Sequence, residues 1–220
     1  MKFTIYQASR QGGRKNNQDR VAYSYSRDAL LMVVADGMGG HMYGEIAAQI
    51  AVQTLTDLFQ KMAKPRLDDP MAFLADATAL AHSAINDYAI AQDLLEIPHT
   101  TLVASVVQDS TAYWAHVGDS RLYLFSDGCL IARTEDHTAV AQLVRDGIIS
   151  EEEAGNHPER NKVSNCLGGY AIPQVECNAP LPLTDGDTML LCTDGIWGMI
   201  NAQELAALLH AYTLEDAVRH

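Results

Sequence analysis

Two apolar runs, each stopping on an aspartate followed by glycine, constrain this chain more than any other feature. Ala29 to Ala35 (ALLMVVA) is continuous, the pattern of a strand buried on both faces, and it stops at Asp36. Thr188 to Thr193 (TMLLCT) reads as a further strand and stops at Asp194. Asp-Gly occurs five times, at Asp36, Asp127, Asp146, Asp185 and Asp194, and its ordinary meaning is a turn. Asp127, Asp146 and Asp185 take that meaning here. Asp36 and Asp194 instead place a carboxylate at the end of a buried element, where turning alone does not require one. Asp119 occupies a similar place after the strand-like Tyr113 to Val117, in HVGDSR.

Three acids delivered to strand ends in one small domain repel one another unless positive charge sits between them. Mg²⁺ and Mn²⁺ supply it, taking oxygen ligands from carboxylates, carbonyls and water. Gly37 lets the backbone come close enough for its carbonyl to join. Two such ions can acidify a shared water and stabilise the entering and leaving oxygens of a phosphoryl displacement, a reaction that is very slow unaided. Arg14, in the loop preceding the acids, is a candidate clamp for phosphate oxygens.

The remaining elements predict an α+β layered sandwich. Phe3 to Ala8 and Val21 to Tyr25 alternate like half-buried strands. After the glycine loop DGMGG, Ile46, Ile50, Ala51, Leu55, Leu58, Phe59 and Met62 form a helical stripe. A second helix begins at the N-cap Asp69 and Pro70, with Phe73, Ala77, Leu80, Ala84, Ile85 and Tyr88 as its buried face. Leu102 to Val107, Ala112 to Val117, Arg121 to Phe125 and Cys129 to Arg133 read as a meander, with a hairpin turn at Ser126-Asp127-Gly128. Ala139 to Gly169 is polar and suits a surface flap. Asn201 and Glu204 form a capping box for a helix over Ala202 to Ala211. Strands in antiparallel groups with helices segregated in pairs favour α+β over βαβ.

Composition narrows the class. The 220 residues suit one domain, and 48% hydrophobic with 20% charged residues is globular usage. Fifteen Lys and Arg against 28 Asp and Glu give a net charge of -13, which disfavours nucleic acid and favours cations. Cys129, Cys166, Cys177 and Cys192 contain no CxxC pair and read as reduced packing residues. Met1 to Ala8 lacks a secretory pattern, and no apolar stretch reaches the length of about 20 residues that a membrane span needs. A cytoplasmic protein without membrane attachment is expected.

Taken together, RKNNQD (Arg14 to Asp19), VVADGMGGH (Val33 to His41), TTLVAS (Thr100 to Ser105), HVGDSRLY (His116 to Tyr123), EDHT (Glu135 to Thr138), HPERN (His157 to Asn161) and LLCTDGIW (Leu190 to Trp197) resemble the bacterial branch of the type 2C metal-dependent protein phosphatases. The resemblance implies a four-layer αββα sandwich, two antiparallel sheets flanked by helix pairs, in a single phosphatase domain over 1–220 with a flap at about 139–169. It implies hydrolysis of phosphoserine and phosphothreonine on proteins that a serine/threonine kinase has modified, with two and up to three Mn²⁺ or Mg²⁺ ions. By motif, Asp36 would bridge two ions, Gly37 would offer its carbonyl, Asp194 would bind the first ion and Arg14 would hold phosphate. Asp119 would bind a third, weaker ion, while Gln18, Asp19 and Gly195 would act through waters or by supporting the loops.

Three departures accompany the resemblance. Met38 stands where some members carry histidine, and Gly198 stands where many carry a second aspartate. The sequence stops at His220 without the family's final Asp-Asn motif, which predicts a missing C-terminal helix and strand and a weaker first metal site. A phosphoprotein-binding pseudophosphatase is the alternative activity. Ser120 of GDSR lacks the G-x-S-x-G elbow of a serine nucleophile, and DGMGGHMYGE lacks the Lys-Ser/Thr of a P-loop. His41, His116 and His137 match no zinc spacing and are expected to be structural or to support a site from behind its ligands.

Overall fold

In the computed structural model, which describes residues 2–38, 43–155, 157–160 and 162–219, the apolar run at Ala29 to Ala35 lies inside the larger of two sheets. Strands β1 (Asp19–Tyr25) and β2 (Ala29–Met38) pair as a hairpin, and helices α1 (Gly44–Met62) and α2 (Pro70–Ala91) follow. Next come β3 (His99–Thr100), β4 (Leu102–Gln108) and β5 (Thr111–Val117), then β6 (Arg121–Ser126) and β7 (Cys129–Arg133). Short helices α3 (Ala139–Arg145) and α4 (Glu151–Gly155) lead to β8 (Glu176–Cys177), β9 (Leu181–Pro182) and β10 (Thr188–Cys192). Helices α5 (Asp194–Trp197), α6 (Ala202–Ala211) and α7 (Leu214–Arg219) complete the order.

The larger sheet runs β1-β2-β4-β5-β8, with β3 on β2 and β9 on β5, and the smaller runs β10-β6-β7. All pairings are antiparallel. Strand β2 shows why its sequence is apolar throughout. Leu31, Val33 and Ala35 pack with Leu55 and Phe59 of α1 and Phe73 and Ile85 of α2, whereas Val34 points between the sheets toward Val103, Trp114 and Leu122. On the outer face of the smaller sheet, Tyr123, Phe125 and Cys192 pack with Leu205 and Ala206 of α6. Helix, sheet, sheet, helix is the four-layer αββα sandwich expected from the sequence. Among the described residues no helix is long and apolar enough to cross a membrane.

Local signals hold where chemistry is local. The Asp69 carboxylate accepts from the N–H groups of Met71 and Ala72, the Asn201–Glu204 capping box is complete, and Asp127 and Gly128 both have positive φ in the β6–β7 turn. Three expectations change. Phe3 to Ala8 forms no strand; alternation marks sidedness, but a strand also needs a neighbouring edge for its N–H and C=O groups, and Phe3 instead sets its ring edge-on to Tyr25. The predicted meander divides between the sheets, β4 and β5 in one and β6 and β7 in the other. On α2, Leu80 faces solvent and Ala81 takes its place in the core. Within 139–169, Leu167 is fully buried against the main core and its backbone pairs with Thr100.

The chain passes from the first sheet to the second at Gly118, with φ +103, where an added Cβ would lie 2.7 Å from Thr101 Cγ2. Only glycine fits that crossing. Gly118→Ala should cost about 1–3 kcal/mol, lowering Tm by roughly 2–12 °C for a chain of this length. A thermal melt checks it, and an unchanged Tm contradicts it.

Candidate metal centre

Register places the first two acids. Asp19 on β1 is the cross-strand partner of Asp36 on β2, so both carboxylates stand on one face of the sheet at its edge. Thr193, one residue before Asp194, donates its hydroxyl to Asp19 Oδ2 at 2.9 Å, tying the end of β10 in the second sheet to β1 in the first. Asp119 follows the Gly118 crossing. Burial, then Asp19, Asp194, a hydrogen bond with Asp19, and Asp119 raise the Asp36 carboxyl to about 8. Burial, then Asp136 and Asp194, raise Asp119 to about 7. Asp36, Asp119 and Asp194, read from distant strings, therefore share one electrostatic site, and Asp19 joins them.

Backbone bonds hold Asp36 still. Its N–H donates to Thr101 Oγ1 at 3.0 Å, and its carbonyl accepts from Thr101 N at 2.9 Å and Thr100 Oγ1 at 2.8 Å. Thr101 Oγ1 also meets Ser120 Oγ at 2.7 Å. Ser120 is buried and engaged there, which removes it as a nucleophile and gives it the structural role expected. Gly37 donates its N–H to Gln18 O at 3.2 Å, and a Cβ on Gly37 would stand 2.2 Å from Gly44 O. Two backbones meet where no side chain fits. Gly195 is the second residue of α5, directly after Asp194.

The other Asp-Gly pairs separate cleanly. Gly128, Gly147 and Gly186 have positive φ, as turns demand, whereas Gly37 and Gly195 do not. Arg14 Nη2 lies 3.7 Å from Asp194 Oδ2, with the Arg14 side chain 77% exposed; at that exposure it offsets little of the acids' repulsion. A hard divalent cation bound by carboxylate oxygens fits the donor set.

Sequence reading missed the residues that brace these acids. Arg121 of GDSR makes a bidentate pair with Asp136 of EDHT at 2.7 and 2.6 Å and lies 3.7 Å over the Trp197 ring of α5. Three of the quoted strings thus meet on one guanidinium. Thr101, Thr193 and Asp136 lie inside or beside those strings, so the signal was present without a role attached. Glu176, which meets His137 at 3.2 Å, lies outside every string. His41 and part of the DGMGG loop fall outside the described residues.

The family model of protein phosphatase 2C matches residues 7–217. The chain belongs to the protein phosphatase 2C family. The serine/threonine phosphatase stp of Listeria monocytogenes is 35% identical over 198 residues, covering 89% of this chain and 78% of that one. A crystal structure of a bacterial serine phosphatase superposes with TM-score 0.88 at 28% identity, covering 96% of this chain and 87% of that one. The catalytic domain of the serine/threonine protein phosphatase PstP in complex with 2 manganese ions superposes with TM-score 0.76 at 30% identity, covering 94% and 83%. As a phosphatase 2C chain it has a physical reason for one departure. A Cβ on Gly198 would lie 2.6 Å from Asp194 O, which accepts the Gly198 N–H at 2.9 Å, so a larger residue requires α5 to shift.

Acids raised in the folded state stabilise it below their unfolded values and lose that contribution as pH climbs through the folded ones. With chelator present, Tm should therefore fall between pH 5 and pH 8.5, through the values of about 7 and about 8 for Asp119 and Asp36. Mn²⁺, by binding the ionised forms, should flatten that fall. Equal slopes with and without Mn²⁺ in paired melts would contradict the cluster's electrostatics.

Proposed function

We propose that this chain is a Mn²⁺- or Mg²⁺-dependent phosphatase that hydrolyses phosphoserine and phosphothreonine on proteins, folded as a single phosphatase domain over 1–220 with residues 139–169 as its flap. The reading rests on one observation above all: Asp36, Asp119 and Asp194 arrive from distant parts of the chain at a common site, where burial and the neighbouring carboxylates raise the Asp36 carboxyl to about 8. The manganese-bound PstP domain, a relative of the same fold, supports the choice of ion.

In this assignment Asp36, the Gly37 carbonyl and Asp194 would hold two ions, and Asp119 would hold a third. Gln18, Asp19 and Gly195 support them. Bound ions supply positive charge that acidifies water and offsets charge on phosphoryl oxygens. The protein's own work is positional. The Thr100 and Thr101 bonds hold the Asp36 backbone, the Thr193 hydroxyl orients Asp19, and the largely exposed Arg14 would offer paired N–H donors to the phosphate. Water adds across the phosphorus–oxygen ester bond, returning the serine or threonine hydroxyl and inorganic phosphate. Partners are phosphorylated proteins made by a serine/threonine kinase, and the site of action is the cytoplasm.

Hydrolysis of a phosphothreonine peptide should require Mn²⁺ and stop with EDTA. Asp36→Asn should lower kcat/KM by about 100-fold or more, since several kcal/mol of charge stabilisation go with the ions. Arg14→Ala should raise KM about tenfold with a smaller change in kcat, as expected for a group that holds phosphate in ground and transition states alike. Chelator-insensitive turnover, or no turnover by folded protein saturated with Mn²⁺, would overturn the assignment.

A further inference from the structure

A histidine outside the acid cluster grips the turn that carries Asp119. The His137 backbone N–H donates to Gly118 O at 3.0 Å, and its ring Nδ1 accepts the Gly118 N–H at 3.1 Å. Asn165 Nδ2 donates a second bond to Nδ1 at 2.7 Å. The Asn165 amide cannot be turned round, because its Nδ2 donates to Gln174 O at 2.7 Å and its Oδ1 accepts from Gln174 N at 3.1 Å. Two N–H donors converge on Nδ1. The neutral ring must therefore carry its proton on Nε2, which faces Glu176 Oε2 at 3.2 Å.

His116 and Glu176, cross-strand partners on β5 and β8, complete the surroundings. The His116 and His137 rings stack at 4.5 Å, and His116 Nε2 donates to Glu135 O at 2.7 Å. Its Nδ1 is buried with no hydrogen-bond partner among the described residues. One ligand atom from each of His116, His137 and Glu176 lies within 4.8 Å of the others, close enough to suggest an ion. Proton accounting argues otherwise. With Nδ1 occupied as an acceptor, His137 could ligate through Nε2 only as an imidazolate, having lost a proton that neutral imidazole does not readily give up.

We propose that Glu176 and His137 are a positioning pair: the carboxylate fixes the imidazole tautomer, and the imidazole fixes the Gly118 turn that aims Asp119 into the metal cleft. The claim rests on the proposed metal role of Asp119. It also assigns Asn165, beyond the short helices α3 and α4, a place in the same chain of bonds, so that the limb carrying Asn165 and Gln174 is tied to that carboxylate through one ring. A carboxylate facing one ring nitrogen favours the proton there and leaves the other nitrogen free to accept.

The test uses the full chain and its His137→Leu, His137→Asn, Glu176→Ala and Asp119→Ala variants. In metal-free protein, long-range ¹H–¹⁵N spectra should find His137 protonated at Nε2 and bare at Nδ1; the opposite tautomer overturns the proposal. Mn²⁺ binding, followed by the electron paramagnetic resonance of the free ion, should weaken about fivefold to thirtyfold for one class of site in His137→Leu, as for loss of one buried hydrogen bond. His137→Asn, whose Oδ1 can replace Nδ1 as acceptor, should restore binding to within about twofold, and Glu176→Ala should fall between them. If Asp119→Ala weakens that class of site while Glu176→Ala and folded His137→Leu bind as the parent does, the positioning claim fails alone. Parent-like binding by Asp119→Ala removes the metal role of Asp119 and the claim with it. Should His137→Leu not fold, the tautomer and the half-exposed Glu176 decide the outcome.

Discussion

Crowded negative charge is the constraint on which this molecule depends. Asp19, Asp36, Asp119 and Asp194 converge where burial already disfavours ionisation, and burial is the largest cause of the raised Asp36 and Asp119 carboxyls. Left to side-chain freedom, the four would swing apart. Thr193 ties the Asp19 carboxylate, and three hydrogen bonds with one short segment, Thr100 and Thr101, fix the backbone from which Asp36 projects. The energy of holding like charges together is drawn from packing elsewhere, chiefly the core between α1, α2 and the larger sheet.

Two stacked sheets suit this task better than one. A single sheet presents its strand ends in a row about 4.8 Å apart, whereas edges of two sheets can face each other across a gap. Here β1 and β2 supply Asp19 and Asp36 from the first sheet, and the end of β10 supplies Asp194 from the second. Cross-ties keep the gap constant. Thr193 reaches Asp19 between the sheets, and Arg121 joins β6, the segment containing Asp136 and the Trp197 ring of α5. A pair as buried as Arg121 with Asp136 contributes little net stability once desolvation is counted. Its contribution is geometric, since the planar fork admits one arrangement.

How much of this was legible follows from the range of each interaction. Apolar runs ending in Asp36 and Asp194 were readable because burial on both faces writes itself into consecutive residues. The turn role of Asp127, Asp146 and Asp185 was readable because turn chemistry is local. The division of β5 and β6 between sheets was not, since the same alternating pattern serves a hairpin within one sheet and a crossing between two. Gly118 held the answer, but one glycine before an aspartate does not say which backbone it must avoid. Phe3 to Ala8 failed for a related reason: its pattern states sidedness and says nothing of a partner edge. Thr101 and Glu176 act on residues far away in sequence, and only contact reveals them.

The acids also differ in how they are held. Asp19 and Asp36 lie on paired strands, Asp19 on the edge strand β1 and Asp36 on β2, which has neighbours on both sides. Asp194 opens α5, with its carbonyl bonded to Gly198 N and its helix pressed against Arg121 through Trp197. Asp119 sits on a crossing with no ladder of its own, and its turn is fastened by the His137 ring and backbone. A ladder repeats its bonds along the strand and tolerates the loss of one; the Gly118 turn has fewer, from His137 and, at Ser120, from Thr101. If one carboxylate adjusts while the others stay fixed, the fold permits that freedom at Asp119, and the stiffness there is set by the tautomer of a single imidazole.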